Sequence, residues 1–259
     1  MKVTRLLLTA IVMIAPVSFA LAKDEALAKA IAAPHRTPAM VERDAARKPQ
    51  EVLEFFGIKP TQTVVEIAPG GGYWTEILAP YLKGKGTYYA AMSSRSIEGT
   101  RKKLAANPTL YSEVKLTEMG PSGAIAPAGS ADLVVTFRNV HNWVGNGDAD
   151  QQFRAFFNAL KPGGVLGIED HRASNTQPQD PKAANGYVRE DYTIQLAEKA
   201  GFKFLGKSEI LANPKDTKDY PQGVWTLPPT LTLGDKDRAK YVAIGEADNF
   251  LLKFEKPKK

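Results

Sequence analysis

A run of three glycines follows a short apolar stretch in the first third of the chain. Residues 63–67 predict a buried strand, and the helical period of residues 74–82 predicts a helix directly after the glycines. Glycine has no Cβ, so this turn can bend sharply and bring its backbone against a ligand. Strand, glycine turn and helix form the first unit of a nucleotide-binding α/β sheet. The residues expected to contact the ligand here are Glu66, Ala68, Pro69, Gly70, Gly71, Gly72 and Tyr73.

Two histidines stand where later strands are predicted to end. His141 follows the predicted strand 132–137, and His171 follows the strand 165–168 together with Glu169. These side chains can take a proton from a nucleophile, so all three are candidate catalytic groups; the alternative is a packed, structural histidine. A metal site from the histidines and carboxylates is disfavoured. The two histidines are far apart in sequence and the chain has no cysteine, so we expect no metal.

Alternating strands and helices must position these groups. The pattern predicts a mostly parallel α/β sheet that is covered by helices on both faces. Its predicted strands are residues 63–67, 87–91, 114–117, 132–137, 165–168, 202–210 and 249–256. Ligands of such sheets bind beyond the carboxyl ends of the strands. The other strand ends therefore add Met92, Ser93, Glu118 and Asn139 to the expected cleft.

The first 22 residues are typical of a secretory signal peptide. Lys2 and Arg5 form a basic start, residues 6–19 are apolar, and residues 20–22 form a small-x-small cleavage site. Cleavage would leave a chain that begins at Lys23 and has no integral membrane segment. We therefore expect a periplasmic or secreted protein.

Composition and spacing suggest one large domain behind the signal peptide. We expect a helical cap over residues 23–57 and a domain over residues 58–259, with an insertion at about 211–248. So long a connection between strands is typical of a lid or a binding loop. The net charge of +6 is diffuse, which gives no indication of nucleic acid binding. The oligomeric state cannot be predicted.

Three of these features together resemble the class I S-adenosylmethionine (SAM)-dependent methyltransferases. They are the glycine turn, the strand 132–137 and the turn at 160–164, and the resemblance covers roughly residues 50–256. Further blocks resemble a branch of exported predicted methyltransferases. These blocks are residues 43–44 with 47, 69–73, 169–173, 186–191, 212–214, 223–229 and 244–246. The resemblance implies a Rossmann-like seven-stranded sheet with an antiparallel last strand, and SAM as the cofactor, but no particular substrate.

The second strand departs from the pattern of those enzymes. They usually end it with Asp or Glu, whose carboxylate binds both ribose hydroxyls, whereas this chain has Met92 followed by Ser93. Either a serine replaces the carboxylate or SAM binding is weakened.

Two functions therefore remain open. One is an exported SAM-dependent methyltransferase that acts on a small molecule or an envelope component. The other is a periplasmic binding protein that has kept the fold and lost catalysis. A dinucleotide oxidoreductase is disfavoured, because the G-x-G-x-x-G fingerprint fails at Tyr73.

Overall fold

The protein is built on one seven-stranded sheet, seen in a computed structural model that describes residues 24–120 and 124–258. The strand order is β3-β2-β1-β4-β5-β7-β6. The strands are β1 Thr63–Ile67, β2 Thr87–Ser93, β3 Lys115–Met119, β4 Ala131–Phe137, β5 Leu160–His171, β6 Lys203–Ser208 and β7 Asn249–Glu255. Strands β1 to β5 pair in parallel, and β7 pairs antiparallel with both β5 and β6. The predicted fold class and the antiparallel last strand are confirmed.

Helices cover both faces of this sheet. They are α1 Glu25–Ile31, α2 Pro38–Val41, α3 Asp44–Arg47, α4 Pro49–Phe56, α5 Thr75–Leu82, α6 Ser94–Ala105, α7 Pro108–Tyr111, α8 Val140–Asn146, α9 Ala149–Ala159, α10 Glu190–Lys199 and α11 Arg238–Ile244. Successive side chains of a strand point to opposite faces. Accordingly Val64 packs with α1, α4 and α5, whereas Val65 packs with α8, α9 and α10. Among the described residues no helix is both long and apolar enough to cross a membrane.

The helix α4 lies against the sheet at a point where β5 has no side chain. A Cβ on Gly167 would lie 2.6 Å from the ring of Phe56, which is fully buried. The glycine therefore lets the aromatic ring rest on the strand backbone. This contact fixes the helices that precede β1 relative to the carboxyl edge of the sheet.

Local structure differs from the sequence prediction in three places. Residues 38–56 of the expected cap, whose pattern predicts one helix, are divided into α2, α3 and α4; Lys48, with a left-handed φ of 42°, and Pro49 separate α3 from α4. The turn expected at 161–164 belongs to β5, which starts at Leu160 beside an irregular register with β4. Helix α8 is not predicted, and it places His141 in its first turn. The predicted signal peptide, residues 1–22, lies outside the described residues.

Candidate functional site

The glycine turn crosses the carboxyl end of β1 in a left-handed backbone conformation. Ala68, Gly70 and Gly72 have φ values of 48°, 58° and 89°. The N–H of Ala68 donates to the carbonyl of Ala91 at 2.8 Å, which ties the turn to β2. An alanine in this region costs about 1–2 kcal/mol, which explains why such turns favour glycine at this place.

Two adjoining pockets open beside the turn and share Ala68, Gly70, Gly71 and Asn139. The larger has a volume of about 640 Å³ and extends to the end of β2; we call it the β2 pocket. The smaller has a volume of about 210 Å³ and extends to Arg43, Arg47 and Arg138; we call it the arginine pocket. The expected residues that line this cleft are Glu66, Ala68, Pro69, Gly70, Gly71, Tyr73, Met92, Ser93 and Asn139.

Two expected residues lie outside the lining of these pockets. Glu118 is exposed on β3, and the next residue, Met119, lines the β2 pocket instead. Gly72 lies at the far end of the turn, where a Cβ would meet the ammonium of Lys103 at 3.0 Å. Asn139 donates through its side-chain amide to the carbonyls of Ile67 and Phe137, so it ties the ends of β1 and β4 together.

The β2 pocket is apolar at its base and hydroxyl-rich at its rim. Met92 is buried at the end of β2, and the hydroxyls of Ser93 and Ser96 lie 2.6 Å apart at the start of α6. No Asp or Glu is among the described residues that line this pocket. Serine hydroxyls thus lie where the methyltransferases that the sequence resembles carry a carboxylate.

Three arginines converge on one carboxylate in the arginine pocket. Glu246 accepts from Arg43 at 2.8 and 3.0 Å and from Arg138 at 2.5 Å. Burial opposes its ionisation, but the charges of Arg138, Arg43 and Arg47 outweigh burial and lower the pKa of Glu246 to about 2. Glu246 belongs to the segment between β6 and β7, so this network joins that segment to the N-terminal helices.

Arg47 is the least satisfied member of the network. Its residue is only 7% exposed, and its Nε lies 3.9 Å from Glu246 Oε2, too far for a hydrogen bond. Its side chain makes no hydrogen bond within the part of the chain that the structure describes, and its Nε is buried without a partner. The guanidinium lies 4.5 Å from the ring centre of Tyr73. Burial and the charge of Arg138 lower the pKa of Arg47 to about 9. The guanidinium is therefore charged at pH 7, although its surroundings disfavour that charge.

Glu66 lines the same pocket at the end of β1. Its carboxylate is almost fully buried and accepts on Oε2 from the hydroxyls of Thr75, at 3.1 Å, and Tyr88. Its Oε1 has no partner among the described residues. Burial raises the pKa of Glu66 to about 7. The arginine pocket thus contains a guanidinium without a hydrogen-bond partner among the described residues and a carboxylate with one free oxygen.

The two histidines, distant in sequence, lie together. Their ring centres are 5.4 Å apart, and both side chains are buried beside Asp170. His141 Nδ1 lies 2.8 Å from Asp170 Oδ1, and His171 Nδ1 lies 2.7 Å from Asn249 Oδ1. We call His141, Asp170 and His171 the histidine cluster. We expected no metal because the two histidines are far apart in sequence. The fold brings them together, so that reason no longer holds.

Arg138 lies beside the histidine cluster and acts on both His171 and Glu169. Burial and the charge of Arg138 lower the pKa of His171 to about 3, so this ring is neutral at pH 7. Glu169, the third catalytic candidate, is fully buried and accepts from Arg138 at 2.9 Å. Its second oxygen has no partner among the described residues.

Arg138 follows β4 in the predicted cleft, but Arg43 and Arg47 are absent from the site that the sequence predicts. The available signal was their four-residue spacing, which is equally typical of a solvated ion-pair face. Their common partner, Glu246, lies about two hundred residues further along the chain. The sequence alone therefore could not distinguish a pair of site arginines from a solvated ion-pair face.

No family model matches the chain, and no curated protein matches it by sequence. Solved structures do match. The chain is similar to a SAM-dependent methyltransferase from Aquifex aeolicus, with a TM-score of 0.57 and 16% identity over 83% of this chain and 93% of the other. It is also similar to phosphoethanolamine N-methyltransferase 2 from Haemonchus contortus in complex with SAM, with a TM-score of 0.55 and 16% identity over 80% and 52% of the two chains. This chain has the class I methyltransferase fold.

At such identities the likeness concerns the fold and not the reaction. A third similar structure, with a TM-score of 0.60 and 15% identity over 90% of this chain and 92% of the other, is the [4+2]-cyclase SpnF. One fold thus carries differently described activities, and function must be argued from the site.

Proposed function

We propose that the protein is a SAM-dependent methyltransferase and that the cleft at the glycine turn is its cofactor site. The observation that carries this proposal is that Arg47 and Glu66 both line the arginine pocket. SAM ends in an amino acid, whose carboxylate and ammonium are complementary to a guanidinium and a carboxylate. A guanidinium with hydrogen-bond donors to spare and a free carboxylate oxygen, both beside a glycine turn, therefore fit the zwitterionic end of SAM.

The β2 pocket fits the other end of the cofactor. Its volume of about 640 Å³ lies within the range of small-molecule sites. The buried side chains of Met92 and Trp143 offer an apolar surface for a base, and Ser93 offers a hydroxyl at the rim for a ribose. In this proposal, Ser93 takes the place of the carboxylate that other members carry at the end of the second strand.

Bound SAM would supply an electrophilic methyl group. The protein's own contribution is to hold the two substrates in line and to exclude water, which methyl transfer requires more than acid–base help. Ion pairs with Glu246 hold Arg43 and Arg138, which line the arginine pocket, in place. The histidine cluster lies at the ends of β4 and β5, next to the cleft, and is the proposed acceptor side.

We further propose export and an acceptor that is a small molecule or an envelope component. The signal-like sequence of residues 1–22 supports export. The size of the cleft supports a small acceptor or the end of a larger one. A methyltransferase-fold binding protein is the second candidate, and the absence of Asp and Glu from the described lining of the β2 pocket favours it.

Isothermal titration of the purified protein with SAM and with S-adenosylhomocysteine tests the cofactor assignment. We expect both to bind, because each carries the carboxylate and ammonium that Arg47 and Glu66 fit. If neither binds at millimolar concentration, the proposed function is wrong. If both bind but no methylated product forms with an extract of envelope components, the binding protein becomes the better assignment.

Binding of S-adenosylhomocysteine should also depend on pH through Glu66. The pKa of about 7 means that this carboxylate ionises between about pH 6 and pH 8. Only the ionised form pairs with the ammonium, so we expect affinity to rise as pH increases through 7. Titrations at pH 6 and pH 8 measure this change.

The variant Glu66→Gln provides the control for that pH dependence. It should bind weakly at both pH values, with no rise between them. It should also be more stable than wild type at pH 8, because a pKa raised from 4.5 to about 7 corresponds to about 3 kcal/mol against the ionised form. A variant that keeps the wild-type pH dependence would exclude Glu66 as its source.

A further inference from the structure

The histidine cluster has the composition of a metal site. His141, Asp170 and His171 each offer one ligand atom, and these atoms all lie within 4.8 Å of one another. All three side chains are buried, in contrast to the exposed acidic groups that often lie close together without a ligand. They come from the first turn of α8 and from the end of β5, two elements that the sheet holds rigidly.

Surrounding groups fix the direction of each ligand. The side-chain oxygen of Asn249 accepts from His171 Nδ1 at 2.7 Å, which leaves the lone pair on Nε2. Metal-binding histidines commonly have such a partner on the second nitrogen. The backbone N–H groups of His141 and His171 donate to the carboxylate of Asp170 at 3.1 and 2.7 Å and hold it in place.

The separation of His141 from Asp170 is close to that of two ligands of one ion. Their nitrogen and oxygen are 2.8 Å apart, at the distance of a hydrogen bond. Two ligands that each bind one ion at about 2.0–2.2 Å lie about 3.0 Å apart at a right angle and about 3.4 Å apart at the tetrahedral angle. An ion would therefore replace the proton between them once the two atoms move apart by a few tenths of an ångström.

We infer that His141, Asp170 and His171 bind a divalent first-row transition-metal ion. Two imidazoles and one carboxylate suit zinc, iron, cobalt or nickel better than magnesium or calcium, which prefer oxygen ligands. The nearby cation, Arg138, is balanced by Glu169 and Glu246, so its charge does not stand alone against the ion.

Three protein ligands leave coordination positions open. In catalytic sites such positions take water or a substrate atom, and the ion lowers the pKa of what it binds. Trp225 lies edge-on to His141 with ring centres 6.2 Å apart, and Tyr187 lies edge-on to His171 at 6.3 Å, so both cover the site. On the proposed function, the ion would bind an acceptor oxygen next to the cofactor cleft. Metal binding itself does not depend on that function.

Titration of the full chain with Zn²⁺ and with Co²⁺, without SAM, tests the inference. The chain contains three histidines, and the third, His35, lies elsewhere with its Nε2 2.8 Å from the carbonyl of Glu76. His35→Gln is therefore the matched control for His141→Gln and His171→Gln. We expect one ion per chain, a visible Co²⁺ spectrum of nitrogen and oxygen ligation, and a loss of at least about tenfold in affinity only in the two cluster variants.

A second variant covers the case in which a cluster histidine is needed for folding. Asn249→Ser removes the partner of His171 and should weaken metal binding by about 10–100-fold while the ligands remain. Circular dichroism identifies variants that are folded. Absence of stoichiometric binding by wild type, or an equal loss in His35→Gln, would overturn the inference. Failure of SAM to bind would not affect this result, so the two proposals can fail separately.

Discussion

Replacing Arg47 with glutamine is expected to weaken the binding of S-adenosylhomocysteine by one to two orders of magnitude. A hydrogen bond to a charged group contributes about 1.5–3 kcal/mol, and each 1.4 kcal/mol is about a factor of ten in affinity. Arg47 is buried in the arginine pocket, and its guanidinium has no hydrogen-bond partner among the described residues. Its guanidinium therefore has its donors available for the ligand carboxylate.

The same substitution should stabilise the protein without ligand. Burial and the charges of Arg138 and Arg43 lower the pKa of Arg47, which means that the folded state disfavours its charge at pH 7. Glutamine removes this cost. Weaker binding together with a higher midpoint of thermal unfolding is a result that general damage to the fold would not produce.

Two controls locate the effect at the carboxylate. 5′-Methylthioadenosine lacks the amino acid, so its affinity should be the same for wild type and Arg47→Gln. Arg101→Gln changes an exposed arginine whose salt bridge within the described ranges is to Glu98, and it should bind S-adenosylhomocysteine like wild type. If Arg47→Gln binds both ligands as wild type does, the arginine pocket does not hold the cofactor carboxylate.

The fold could be predicted because its signals are local. The apolar run at 63–67 and the glycine turn predicted β1 with the bounds that the structure shows. The carboxyl ends of parallel strands meet at one edge, so Met92, Ser93 and Asn139 could be assigned to the cleft without knowledge of their contacts. These predictions depend on the pattern of apolar residues and on the rule that the carboxyl ends of parallel strands meet at one edge of the sheet.

The arginine pocket and the histidine cluster could not be predicted, because their contacts are not local. Arg43 reaches Glu246 through the segment between β6 and β7, which is 203 residues away in the sequence. His141 meets His171 because β4 and β5 are parallel neighbours, with Phe137 at the end of β4 paired to Glu169, two residues before His171. Loop conformation and strand adjacency determine both sites, and neither has a period in the sequence.

Replacing Glu246 with glutamine is expected to cause the largest loss of stability. This carboxylate lies among Arg43, Arg47 and Arg138, and its side chain is only 9% exposed. Removal of one partner from a buried ion network costs about 3–5 kcal/mol, because the remaining charges are left without compensation. Glutamine keeps the size and one accepting oxygen, so the loss of charge is the main change. Urea unfolding at pH 7 measures the difference from wild type.

The surface pair of Arg172 with Glu209 gives the matched control. Glu209 accepts from Arg172 at 2.5 Å, as Glu246 does from Arg138, but its side chain is 54% exposed. Exposed ion pairs contribute about 0–1 kcal/mol, so Glu209→Gln should unfold nearly like wild type. An equal effect of the two substitutions would mean that the arginine pocket contributes no more than a surface pair.

The loss in Glu246→Gln should also depend on pH in a defined direction. Burial opposes the ionisation of Glu246, yet the three arginines lower its pKa in the folded state from 4.5 to about 2. A lowered carboxylate pKa stabilises the folded state fully above the unfolded value and loses this effect as pH falls toward the folded value. The difference between wild type and variant should therefore be constant from pH 7 to about pH 5 and become smaller at pH 3. A difference that stays the same at pH 3 would mean that packing, and not the charge of Glu246, holds the segment before β7 in place.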